Sequence, residues 1–85
     1  MAMIFDRLRK IIAEQFGVDE DSIVASSSLA YDFNADSSDI AELVATIEDE
    51  FSRPNRKFEI ADEDTDRFFT VQDIIDYLRD FITEE

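Results

Sequence analysis

Ser37 is the side chain best placed to do chemistry. It lies in the run Asp36-Ser37-Ser38-Asp39, just ahead of Ile40, Leu43, Val44, Ile47 and Phe51, which recur at helical spacing. Asp36 suits an N-cap, and Asp39 stands three residues after it, so Ser37 falls in the first turn of a helix running from about Ser37 to Phe51. Ser37 precedes the apolar stripe, which leaves its hydroxyl toward solvent. A helix N-terminus offers free backbone N–H groups and partial positive charge, and both favour an attached phosphate. A phosphodiester on Ser37 is then tolerable despite Asp36 and Asp39. An unmodified polar first turn fits the same residues. On physical grounds alone that plainer reading is favoured, because such serines are common.

Other chemistries are poorly supplied. The chain has no His and no Cys. Imidazole is therefore missing as base and as metal ligand, and Ser-His and Cys-His nucleophilic machinery is excluded. An enzyme would have to work with carboxylates, Lys, Tyr or Ser, and no paired acids stand in a recognisable motif. No metal site is expected. Asp32, Asn34 and Asp36 alternate like the start of a calcium loop, but Ser37 stands where the sharp turn needs Gly and Leu43 where the bidentate Glu belongs. Asp62, Asp64 and Asp66 fail similarly, with Arg67 at the Gly position. An acidic interaction module without covalent modification, or one binding divalent cations weakly, is the alternative function.

Charge narrows the partners. The net charge is -14. From Ile11 to Ser52 there is no Lys or Arg, while Asp and Glu recur throughout. Nucleic acid is a poor partner for such a chain, as is an anionic membrane. Basic protein surfaces are natural ones, and solubility alone would explain the charge equally well. With 45% hydrophobic residues, eight of them Phe, the chain should fold. No apolar run approaches the roughly 20 residues that span a membrane. The N-terminal stretch is broken by Asp6, Arg7, Arg9 and Lys10, unlike a signal peptide. A cytoplasmic monomer without membrane insertion is expected.

The elements that must hold Ser37 follow from periodicity. Ile4, Leu8, Ile11, Ile12 and Phe16 predict a helix from about Ala2 to Phe16, closed by Gly17, the only glycine. Val18 to Asn34 reads mostly as loop, with Ser26, Ser27 and Ser28 breaking any pattern and Asp19 able to cap a short turn through Ile23. Ile23, Val24, Leu29 and Phe33 should anchor that loop. Ser52 to Lys57, with Pro54, is a second loop, after which Phe58 and Ile60 return to the core. Asp62 to Arg67 forms a short helix. Thr70-Val71-Gln72-Asp73 opens a last helix with Val71, Ile74, Ile75, Leu78 and Ile82 on one stripe. The fold class is all-α: a small four-helix bundle of three main helices and one short one, with a long first loop, in a single domain over residues 1–85.

Read together, these segments resemble the acyl carrier protein family. Asp32-Phe33-Asn34-Ala35-Asp36-Ser37-Ser38-Asp39 is similar to its D-L-G-x-D-S-L-D motif. Glu42-Leu43-Val44 and Ile47-Glu48-Asp49-Glu50-Phe51 look like its E-L-V and L-E-E-E-F. Glu59-Ile60-Ala61-Asp62-Glu63-Asp64 resembles E-I-P-D-E-D, and Thr70-Val71-Gln72-Asp73 with Tyr77 resembles T-V-x-D with Y-I. Ile11 to Val18 is similar to the end of the family's first helix. The likeness spans nearly the whole chain, and its specificity lies in the order and spacing of the pieces.

The resemblance implies a non-enzymatic carrier. Ser37, flanked by Asp36 and Ser38, would receive 4'-phosphopantetheine from coenzyme A by a phosphopantetheinyl transferase. The thiol of that arm would hold an acyl group as a thioester, so a Cys-free chain could do thiol chemistry. Asp39, Glu42, Ala45, Glu48 and Asp49 would dock basic patches on acyl-ACP synthetases, ketosynthases or acyltransferases of fatty-acid, polyketide or lipid biosynthesis. Leu43, Ile47, Ile60, Phe68, Phe69 and Ile75 would line a space for the acyl chain, although packing is the first duty of each. Departures are visible. Ser38 replaces a leucine, Asn34 a glycine, Ala41 and Ala45 a Val and a Met, and Ala61 a proline. The basic loop from Ser52 to Phe58 is longer than usual. Lost apolar contacts on the recognition helix point to a specialised carrier rather than a housekeeping one.

Overall fold

The computed structural model describes residues 4–52, 54, 55 and 57–81. Five α-helices are found among them: α1 (Ile4–Phe16), α2 (Leu29–Asp32), α3 (Ser37–Phe51), α4 (Asp62–Thr65) and α5 (Val71–Phe81). A 3-10 turn, Glu20–Ser22, precedes α2. The all-α bundle is as expected from the periodicity, with one short helix more. The expected first residues of α1, Ala2 and Met3, lie outside the described residues. So do Arg53 and Arg56 of the basic loop and Ile82 at the end of α5.

α1 is the hub, packing against α3, α5 and the 3-10 turn. Its Ile4, Leu8, Ile11 and Ile12 are buried. They meet Leu43, Val44, Ile47 and Phe51 of α3 and Val71, Ile74, Ile75 and Leu78 of α5 in one core. The helix stops at Gly17, whose φ of 66° is the left-handed conformation that side chains disfavour. The amides of Gly17 and Val18 both donate to the Ala13 carbonyl, at 2.9 and 3.2 Å. A Cβ at this position would meet nothing within 4 Å, so the need for Gly is one of backbone and not of space.

α2 was not visible in the sequence. Four residues are too few to show a period, and its cap hides in the serine run. Ser28 caps it: the Tyr31 amide donates to Ser28 Oγ, and the Ser28 amide donates to the Asp32 carboxylate. Asp19, expected to cap the turn before it, sits at the N-cap position without a side-chain bond. Its carbonyl instead accepts from the Ser22 hydroxyl at 2.7 Å.

The long loop is stitched to the start of α5. Ser28 and Thr70 form an isolated antiparallel bridge. The Leu29 amide donates to the Phe69 carbonyl (3.0 Å), and the Val71 and Gln72 amides donate to the carbonyls of Ser27 and Ala25. Those two amides belong to the first turn of α5, which has no acceptor of its own for them. Thr70 caps the helix as expected, since Asp73 Oδ2 accepts from the Thr70 amide at 2.9 Å and Thr70 Oγ1 accepts from the Asp73 amide at 3.3 Å.

α4 is held from both sides. It packs on α3, and the Asp64 carboxylate acts on the Tyr77 phenol of α5. Burial, then the hydrogen bond and charge of Asp64, raise the Tyr77 phenol above its ordinary value near 10. The folded chain therefore keeps this proton to higher pH than the unfolded chain. The associated stability is intact below about pH 10 and is lost as pH rises through the raised phenol pKa. Thermal melts at a series of alkaline pH values should show a shallower decline in Tyr77→Phe than in the parent. Equal slopes would remove the phenol from the account.

Candidate functional site

Ser37 is the first residue of α3, and it is exposed. The helix begins here because Asp36 and Asp39 cap each other. Asp36 Oδ1 accepts from the Asp39 amide at 2.9 Å, and Asp39 Oδ2 accepts from the Asp36 amide at 3.1 Å. Both carboxylates are thereby turned onto backbone. The amides of Ser37 and Ser38, at the open end of the helix, have no intrahelical acceptor. Ser38 is also exposed, one residue further into the turn.

Three further contacts fix where this end points. Gln15 Nε2 donates to the Asp39 carbonyl at 2.8 Å, tying the end of α1 to the first turn of α3. Phe33 stacks on Phe16 with centroids 5.7 Å apart and planes at 19°. The Ala35 amide donates to the Leu29 carbonyl at 3.1 Å, which fastens the approach to Ser37 onto α2. Between them Asn34 adopts φ 55°, the left-handed region. Asn tolerates this conformation better than other side chains do. It occupies the place where the resemblance led one to expect Gly. Asn34→Ala should cost roughly 1–2 kcal/mol, and Asn34→Gly should be nearly neutral. Urea melts of the two variants check this, and equal loss in both would contradict it.

Of the acids expected to dock partners, Glu42 and Asp49 are exposed, as is Ala45. Asp39 is half-buried and committed to the cap. Glu48 is half-buried, and its Oε2 accepts from the Ile60 amide at 2.7 Å, holding the 57–61 segment against α3. It serves the fold before it can serve a partner. The acid-only character of α3 is also relieved from outside the helix. Arg7 of α1 donates to Glu50 Oε2 (3.1 Å) and to the Glu50 carbonyl (2.9 Å), and its guanidinium lies 4.2 Å from the Phe51 ring centroid. That places a cation at the negative end of the α3 dipole. Nothing local in the sequence announces a partner 43 residues away.

Leu43, Ile47, Ile60, Phe68 and Ile75 are all buried in the core. Phe69 is not among them and is 68% exposed. An open cleft of about 870 Å³ lies elsewhere, between α1 and α3, lined by Arg7, Lys10, Ile11, Glu14, Gln15, Glu42, Ala45, Thr46 and Glu50. Its wall mixes charge with apolar surface, and the small Ala45 side chain is the one sequence signal that could have announced it.

The carboxylates of the Asp32, Asn34, Asp36 window are each engaged with a backbone amide, Asp32 with Ser28 and Asp36 with Asp39. They do not converge on a common point. What the site offers is a rigidly placed hydroxyl at an open helix terminus, accessible to a second protein. A family model described as Phosphopantetheine attachment site matches residues 6–78, and the chain belongs to that family. Its members carry 4'-phosphopantetheine covalently and are carriers, not enzymes, and so is this chain. The described residues can accommodate the group: an exposed hydroxyl beyond the cap can take a phosphodiester without disturbing the core. No helix among the described residues is long and apolar enough to cross a membrane.

Proposed function

We propose that Ser37 is the attachment residue and that the chain works as a single, monomeric, cytoplasmic acyl carrier. The observation that carries this reading is the position of Ser37: exposed, first in α3, and directly after a cap whose two carboxylates accept from backbone amides. The arm supplies a thiol that holds an acyl group as a thioester. The chain supplies the rest. The open amides at the start of α3 offset the charge of the phosphodiester. Asp36 keeps the helix end rigid, and Ser38 stands beside the attachment point without competing for the cap.

Delivery follows from charge. Glu42 and Asp49, with Asp39 before them and Glu48 and the small Ala45 between them, present a negative face to basic patches on biosynthetic enzymes. Exposed charges of this kind speed encounter and leave the complex short-lived, as a shuttle requires. The enzymes that suit such a face are acyl-ACP synthetases, ketosynthases and acyltransferases of fatty-acid, polyketide or lipid biosynthesis, with a phosphopantetheinyl transferase for loading. Ser38, Ala41 and Ala45 leave the outer face of α3 poor in apolar contacts, which supports a specialised rather than a housekeeping role. The buried side chains Leu43, Ile47, Ile60, Phe68 and Ile75 are candidates to part around an acyl chain, whereas Phe69 would have to turn inward to join them.

Incubation with coenzyme A, magnesium and a phosphopantetheinyl transferase should raise the intact mass by about 340 Da, the mass of the covalently added group. An unchanged mass would count against the carrier reading. Efficient chain elongation on this protein by housekeeping fatty-acid synthesis enzymes would count against the specialised role.

A further inference from the structure

Two aromatic rings stand out on the surface. Tyr31 is 93% exposed and Phe69 is 68% exposed. Phe81 is 58% exposed, but its ring meets Phe58 and Tyr77 at 5.9 and 4.9 Å between centroids. Tyr31 and Phe69 make no ring contact among the described residues. Large exposed rings are more informative than exposed aliphatics, because aromatics anchor protein interfaces.

We propose that Tyr31 and Phe69 are the apolar anchors on which the phosphopantetheinyl transferase seats itself, through a recess edged by Lys and Arg. The inference rests on the reading of Ser37 above. Both rings are carried on backbone that is already held. The Tyr31 amide is bonded to the Ser28 cap at 3.2 Å. The Phe69 amide donates to Asp73 Oδ2 at 3.0 Å, and its carbonyl accepts from Leu29 at 3.0 Å. Little ordering entropy remains to be lost from the main chain on binding, which is what an anchor needs.

The position is right as well. Leu29 links the two rings to the attachment point. Its amide bonds Phe69, its carbonyl bonds Ala35 two residues before Ser37, and Tyr31 follows it in α2. One set of backbone bonds therefore joins the segments that carry the two rings to the segment that leads into Ser37. Apolar contact is scarce on α3 itself, where the only exposed apolar side chains are the small Ala41 and Ala45. The surrounding charge defines the rim of the partner. Tyr31 lies within the stretch from Ile11 to Ser52 that has no Lys or Arg, next to Asp32. Phe69 is bonded to Asp73 and follows Asp66, with Arg67 the one base between Lys57 and Arg79. An apolar recess with a basic edge complements that arrangement in both respects.

The test is steady-state loading of the full chain with coenzyme A, using a transferase that loads the parent protein. Tyr31→Ser and Phe69→Ser should each raise KM roughly tenfold with kcat unchanged, and Tyr31→Phe should restore the parent value. Both serine variants should melt like the parent, since neither ring is buried. The salt dependence of KM should be unchanged in these variants and weakened in Asp49→Asn. A double serine variant with KM within about twofold of the parent would overturn the inference, because such anchors dominate the binding energy. So would a parent dimer in sedimentation that the double variant dissolves, which would give the rings to a second copy of the chain. Neither result bears on Ser37, which is decided separately by whether Ser37→Ala is loaded at all.

Discussion

Ser37→Ala should stay folded and take up no phosphopantetheine. The hydroxyl oxygen is the atom that would bond phosphorus, and no neighbour can replace it from the same position. Ser38 is exposed, but it stands one residue further into the turn, which on a helix directs it about 100° away from Ser37. Ser38→Ala should therefore load normally. Stability should change little in Ser37→Ala, because the cap is made by Asp36 and Asp39 and Ala is a good helix former. Intact mass after loading and a thermal melt check the two halves of this expectation. A loaded Ser37→Ala protein, or an unloaded Ser38→Ala protein that is still folded, would contradict it.

Leu8→Ala should be the most damaging single change to the fold. Leu8 is fully buried on α1, the helix that packs against both α3 and α5. Truncation leaves a cavity between three helices, and such changes cost about 2–5 kcal/mol. A domain of this size has roughly 4–13 kcal/mol in total, at the usual stability per residue. The loss is therefore a large share of the whole, and Tm should fall by about 8–40 °C. Loading below the lowered Tm should persist, because the cap beside the hydroxyl is made by Asp36 and Asp39 of the α3 start and not by Leu8. A fall of only a few degrees would show that α1 is not the hub.

The three long helices were legible because each spends a stripe of apolar residues on the core at a period of 3.6. Gly17 marked the end of α1, and Asp36 with Asp39 marked the start of α3 to the residue. The cap of α5 was equally plain in Thr70 and Asp73. Short elements left no such trace. α2 has four residues, and its cap pair, Ser28 and Asp32, is masked by the serines around it. The bridge between Ser28 and Thr70 joins segments that nothing in the local pattern connects.

Within the site, the sequence identified which residues are acidic but not what those acids are bonded to. Glu48 looked like a docking acid and is bonded to the Ile60 amide. Glu50 looked like part of a cation-free face and is paired with Arg7. Both contacts join residues far apart in the chain, and tertiary pairing of that kind has no periodicity to read. Phe69 looked apolar enough for the interior. The bonds that hold its backbone to Asp73 and Leu29 leave its side chain outside instead.

Fragmentation mass spectrometry of the loaded chain tests the central claim most directly. A peptide spanning residues 29 to 52 should carry the added mass, and its fragment ions should place that mass on Ser37. Localisation to Ser38, or to any of Ser26, Ser27 and Ser28, would contradict the account.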